Sequence, residues 1–121
     1  MTTARQRQAL GAYGERVAAR YLDGLGMKVI DRNWRCRSGE IDLVLLDREV
    51  IVVCEVRTRR GLGYGHPLAT VGPTKAARLR QLALLWVDAH RGGRPAIRLD
   101  LVGVVQPLRG RVEIEHVRGI G

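Results

Sequence analysis

Two apolar runs close together in the chain constrain the fold most. Residues 40–46 read EIDLVLL and residues 50–57 read VIVVCEVR, with a short polar connection at Asp47-Arg48. Val, Ile and Leu in runs of this length, broken by a few polar residues, predict two strands of a β-hairpin. What is unusual is that the strands themselves carry acids: Glu40 and Asp42 in the first, Glu55 followed by Arg57 in the second.

Alternation along a strand says which of these meet. Glu55 and Arg57 are two apart and point the same way, together with Ile51 and Val53. A two-residue loop at Asp47-Arg48 sets Asp42 opposite Val53; a register shifted by two sets it opposite Glu55. Either register puts Asp42 on the face of Glu55 and Arg57, whereas an odd loop or a bulge would undo this. Opposite or diagonal neighbours in a ladder lie roughly 4.5–8 Å apart. Two carboxylates at that separation can share a hard cation such as Mg2+ or Mn2+, which binds one or two carboxylates and fills its shell with water and substrate phosphate. From spacing alone a second reading stands beside the first, in which Asp42, Glu55 and Arg57 form a salt-bridge ladder on a solvated sheet face.

The rest of the chain supplies a frame for this hairpin. Residues 5–24 have Leu10, Val17, Tyr21 and Leu25 at helical spacing, with Ala18 and Leu22 widening the stripe. Residues 27–30 predict a short strand, and NWRCRSG (33–39) a basic loop. TRRGLGYGHPLATVG (58–72) holds four glycines and a proline and predicts a long loop, a feature that is often functional. Pro73 opens a second helix to about His90, with Ala76, Leu79, Ala83 and Trp86 inward. Strands are expected at 96–105 and 111–117. Helix, three strands, helix, two strands is the order of one α/β or α+β domain with mixed strands, spanning residues 1–121.

Composition narrows the function classes. Twenty-one basic residues against 12 acidic give a net charge of +9, which suits a polyanionic partner such as nucleic acid. Only Lys28 and Lys75 are lysines, so the arginine excess also fits a GC-rich coding bias. No run approaches the roughly 20 apolar residues of a membrane span. The start, MTTARQRQAL, has no apolar centre of a secretory signal, and a cytoplasmic protein without a membrane role is expected. Cys36 and Cys54 form no metal-binding pair, and no disulfide is expected.

Several motifs together carry a family resemblance: GAYGERVAARYL (11–22), NWRCRSGEIDLV (33–44), VCEVRTR (53–59), Lys75, and Arg98-Leu99-Asp100. The chain resembles the YraN family of small bacterial proteins over nearly its whole length. That family is similar to restriction-endonuclease-like nucleases with the PD-(D/E)xK signature and to archaeal Holliday-junction resolvases. The resemblance implies an αβββαβ core with a mixed central sheet flanked by helices. It also implies a metal-dependent endonuclease acting on DNA, branched or otherwise structured, with a homodimer by analogy. By position, Asp42 and Glu55 are the metal-binding acids and Glu15 the acid of the first helix. Arg57 stands where the signature has Lys. An arginine stays charged and cannot act as a base, but it can hold a phosphate. A non-catalytic nucleic-acid-binding protein on a nuclease scaffold is therefore the alternative. Lys75 is a candidate for the missing amine, although a phosphate-facing or solvated lysine is the plainer reading. Arg35, Arg37, Arg59, Arg60, Lys75 and Arg78 flank the acids and are expected to track a phosphate backbone. Trp34 and Tyr64 can stack on bases. His66 is read as neither ligand nor base, and Asp100 as an anchor for Arg98 or a loop.

Overall fold

The computed structural model describes residues 3–61 and 72–120. Among these, two helices and five strands follow in the order α1 (Ala4–Gly24), β1 (Lys28–Cys36), β2 (Gly39–Asp47), β3 (Val50–Arg60), α2 (Pro73–His90), β4 (Ile97–Gln106) and β5 (Glu113–Arg118). The strands lie in one sheet in the order β1-β2-β3-β4-β5. β3 and β4 are parallel, joined through α2, and the other neighbours are antiparallel. This is the mixed α/β arrangement of a restriction-endonuclease-like core. Tyr64, His66 and most of the expected long loop lie outside the described residues.

The two helices cover opposite faces. Ala18, Ala19 and Leu22 of α1 pack on Leu43, Leu45, Val52, Cys54, Val102 and Val104. Leu79, Leu82, Ala83, Trp86 and Val87 of α2 pack on Ile41, Val44, Ile51, Val53 and Leu99. Both faces of β3 are thus buried, which is why its sequence is an unbroken apolar run where it crosses the core. The inward face expected for α2 is the one observed. In α1, Leu25 departs from expectation: it is 53% exposed, because the helix ends at Gly24 and the next side chain leaves the stripe.

Two other expectations are corrected. The basic stretch 33–36 is strand, not loop: β1 runs on to Cys36 and pairs with β2 as far as Cys36↔Gly39, leaving Arg37 and Ser38 as the turn. Its polar composition reflects an edge strand with exposed side chains, where charge discourages pairing with another chain. β3 likewise continues to Arg60, because Thr58, Arg59 and Arg60 find parallel partners in Val104, Val105 and Gln106. The hairpin turn is Arg48-Glu49, with Arg48 at φ 57, so Asp47 faces Val50.

The adjoining ends of β2, β4 and β5 are tied by Asp100, which is fully buried. Arg98 donates to both its oxygens at 2.9 and 3.0 Å, His116 Nε2 lies 2.8 Å away, and Gly119 N–H donates at 3.2 Å. Arg98 also reaches Asp47 at 2.8 Å. Asp100 is thus an anchor, as its sequence context indicates.

One glycine sets how closely α1 lies on the sheet. A Cβ at Gly14 would overlap Thr58 Oγ1 and come within 2.8 Å of Thr58 Cβ and Cγ2, whereas one at Gly11 would meet nothing. Gly14→Ala is expected to destabilise the protein by about 1–3 kcal/mol through overpacking, while Gly11→Ala should be neutral or stabilise it by up to about 1 kcal/mol through helix propensity. Urea unfolding of the two variants checks this; equal midpoints would show that α1 can lift away without cost.

Candidate active site

The β2–β3 ladder ends at Leu43↔Cys54. One residue further on, Asp42 Oδ2 accepts a hydrogen bond of 2.8 Å from Val56 N–H. The strand changes face there. Leu43 and Leu45 pack towards α1, but Ile41, two residues away, packs towards α2. On β1, Asn33 lies between the pairs Arg32↔Leu43 and Trp34↔Ile41 and has φ 51, a left-handed conformation that asparagine tolerates. The register is therefore the one that directs Asp42 towards Glu55. The expectation of simple face-sharing is corrected, however: the alternation breaks at Asp42, and its carboxylate sits at the junction of the two faces.

Acids reach that junction from three elements. Glu15 comes from α1, which Gly14 brings against β3; Glu40 comes from β2 and Glu55 from β3. Burial pushes the Asp42 carboxyl up from the usual 3.8 to about 6. The Val56 N–H opposes this, while Glu15, Glu55 and Glu40 add to it. Glu15 is raised too, by burial and by Glu40, and lowered in part by a hydrogen bond with Asn33 and by Arg32. Groups held so that their neighbours oppose ionisation are a mark of functional sites. Among the described residues, no group of three or more His, Cys, Asp or Glu side chains converges closely enough to hold a metal ion in one shell.

Cations face the acids from the α2 side. Lys75 Nζ lies 3.4 Å from Glu55 Oε1, and Arg57 Nε lies 3.4 Å from Glu55 Oε2. Arg78 donates to Ser38 O at 3.3 Å and so holds the β1–β2 turn. Glu40, Glu55, Lys75 and Arg78 line one cleft of about 210 Å³, floored by Leu79 and Leu82. Lys75 thus pairs with Glu55 at the cleft while its side chain stays half-exposed. The sequence signal for this was its position just after Pro73, one turn before the inward Leu79.

The remaining sequence candidates divide. Arg35 is exposed and lies 3.6 Å from Glu40, and Arg37 is exposed in the adjoining turn. Arg59 alternates with Arg57 and Glu55 and is half-buried. Arg60 lies on the other side, in a cleft with Leu10, Tyr13 and Gln106 under α1, away from Lys75. Trp34 packs against the α2 face, edge-on to His90. Sequence reasoning missed Asn33, which holds Glu15, and the backbone N–H of Val56; the first had a weak signal as an asparagine amid strand residues, the second none.

The profile of the uncharacterised protein family UPF0102 matches residues 14–104. The chain belongs to this family. The UPF0102 match begins at the close-packed Gly14 and encloses Glu15, Asp42, Glu55, Arg57, Lys75 and Arg78. UPF0102 proteins of Streptomyces griseus and a Nocardioides species are each 57% identical over 115 residues, covering 94% and 95% of this chain and 97% and 93% of their own. The Kineococcus radiotolerans protein is 52% identical over 121 residues, 99% of both chains.

A raised carboxyl pKa has a stability consequence of definite sign. Ionising Asp42 costs the folded state more than the unfolded one. Its contribution is favourable below pH 4 and is lost as pH rises through about 6. The difference corresponds to about 3 kcal/mol. Asp42→Asn keeps an acceptor for Val56 N–H and cannot ionise. In metal-free buffer it is expected to stabilise the protein at pH 8 by up to about 3 kcal/mol, with no gain at pH 3.5. Denaturant titration at the two pH values checks this; a pH-independent difference would show that Asp42 ionises without penalty.

Proposed function

We propose that this protein is a metal-dependent phosphodiesterase acting on DNA. The observation that carries the reading is the Asp42 carboxyl, pushed up to about 6 by burial and by three other carboxylates, two of which, Glu40 and Glu55, line a cleft with Lys75 and Arg78. Such a cluster costs stability unless a cation joins it. The donor set fits a hard divalent ion: it is all carboxylate oxygen, and two carboxylates with water are what magnesium takes. Asp42 and Glu55 would hold Mg2+ or Mn2+, which supplies Lewis-acid stabilisation of charge on a phosphate oxygen.

The chain's own groups account for the rest. Hydrolysis joins a water oxygen to phosphorus while the bond from phosphorus to a sugar oxygen breaks. Glu15, oriented by Asn33, is the carboxylate available to take a proton from that water, and the departing sugar oxygen takes one from solvent. Arg57 clamps the phosphate. Lys75 presents an amine beside Glu55 where the neighbouring strand position offers only a guanidinium, and it can orient the water or bind a phosphate oxygen. Branched or structured DNA, and a pair of chains acting on two strands, belong to the same proposal.

A specific observation favours a second reading, a nucleic-acid-binding protein without turnover: both oxygens of Glu55 already face cations. The two readings separate by experiment. Labelled linear, single-stranded and four-way-junction DNA are incubated with magnesium or manganese against chelator. Cutting is expected only with metal, lost in Asp42→Ala and reduced roughly 10- to 100-fold in Lys75→Ala. Magnesium is expected to raise the melting temperature of the wild type but not of Asp42→Asn. Binding without cutting in every variant, or cutting only in Arg57→Lys, would favour the second reading.

A further inference from the structure

A groove away from the acidic cluster has the composition of a polyanion track. It runs between the second half of α1 and the edge strand β1, and Arg16, Arg20, Lys28 and Arg32 line it, with Asp23 the sole acid of the lining. None of the four cations takes part in an ion pair among the described residues, and all four are exposed. Charge of one sign gathered from two elements, four cations against the single acid Asp23 of the lining, costs the free protein repulsion. An edge strand gains protection from lysine and arginine on its own, but that need does not call for matching arginines on the facing helix.

The spacing fits a chain of phosphates. Lys28 and Arg32 lie on either side of the register shift in β1, opposite Leu46 and Leu43, three ladder positions or ~10 Å apart. Arg16 and Arg20 are one helical turn apart, ~6 Å. A nucleic-acid strand carries one phosphate per ~3.4 Å of helix axis, so the strand side of the groove spans roughly three phosphates. The groove also leads somewhere. Arg32 precedes Asn33, whose side chain bonds Glu15, and Arg16 follows Glu15 on the helix. A backbone lying in it would run up to the carboxylates from the α1 side, opposite Lys75 and Arg78.

We propose that the α1–β1 groove binds the sugar–phosphate backbone of one nucleic-acid strand through Arg16, Arg20, Lys28 and Arg32 and delivers that strand to the acidic cluster. The inference deepens the reading of the site as one that acts on nucleic acid, and rests on it. Backbone contacts of this kind carry no base preference, so binding through the groove is independent of sequence.

The test is equilibrium binding of a fluorescent single-stranded oligonucleotide of about 20 nucleotides, in chelator so that nothing is cut, as a function of salt. The full chain is compared with a groove variant (Arg16→Gln, Arg20→Gln, Lys28→Gln, Arg32→Gln). A control variant (Arg91→Gln, Arg94→Gln, Arg109→Gln, Arg111→Gln) changes the net charge equally at exposed positions elsewhere. Circular dichroism melting confirms that each is folded. The groove variant is expected to bind about 100-fold more weakly at 0.1 M salt and to lose about 3 from the slope of log K against log salt, with little change in the control. Equal losses in both variants would overturn the groove and leave the reading of the site standing. Loss confined to the groove variant, with no cutting by any protein in metal, would uphold the groove and overturn the nuclease. No binding by the wild type would overturn both.

Discussion

The hydrogen bond from Val56 N–H to Asp42 is the constraint on which the site hangs. It lies just past Leu43↔Cys54, where the β2–β3 pairing stops although both strands run on. Released from the ladder, β2 turns over: Ile41 goes to the α2 core while Leu43 stays in the α1 core. The carboxylate at the turnover then faces neither helix alone. It lies where Glu15 can act from one side and Glu55 from the other. The arrangement also depends on Gly14, since only a residue without a side chain lets α1 settle against Thr58 and bring Glu15 inward.

Asp42 and Asp100 are treated oppositely, and the contrast separates architecture from chemistry. Burial pushes Asp100 up, but Arg98, His116 and the Gly119 N–H outweigh it and hold its carboxyl below the usual range. Every hydrogen-bonding site of that carboxylate is used within the fold, which ties β4 to β5 and, through Arg98 and Asp47, to β2. Burial also raises Asp42, and its neighbours are acids, so the shift stays upward. A chain that can pair one aspartate so completely has the means to pair another. Keeping Asp42 among carboxylates costs stability, and that cost has a purpose if the missing positive charge comes from outside the chain. Cationic side chains stand on both sides of the cluster, Lys75 and Arg78 beside Glu55 and Arg16 and Arg32 beside Glu15.

Much of the frame was legible because it rests on local patterns. The Val- and Ile-rich runs gave the hairpin, Pro73 the start of α2, and the 3.6-residue spacing of Ala76, Leu79, Ala83 and Trp86 its buried face. Only the start of the edge strand β1 was legible, and residues 33–36 read as a loop, since an exposed stretch with Asn, Arg and Cys carries no apolar alternation to announce it. The candidate acids were legible by type and spacing, and Asp42, Glu55 and Glu15 do gather at one place. How they gather was not, because the break in alternation at Asp42 and the left-handed Asn33 belong to backbone geometry that side-chain alternation assumes away. The groove of Arg16, Arg20, Lys28 and Arg32 was illegible for a related reason: its members are spread over 17 residues of sequence and meet only once α1 lies along β1.

The sequence by itself determined the order of helix, three strands, helix and two strands, the excess of positive charge and the presence of acids within apolar strands, because each follows from composition or short-range periodicity. Only the tertiary structure decided that Asp42 is shared between two faces, that Lys75 reaches Glu55, and that four cations from a helix and a strand line one groove. Those are contacts between residues distant in the chain. They are set by how closely α1 and α2 pack on the sheet, and packing distance is a property of the whole core that no local pattern encodes.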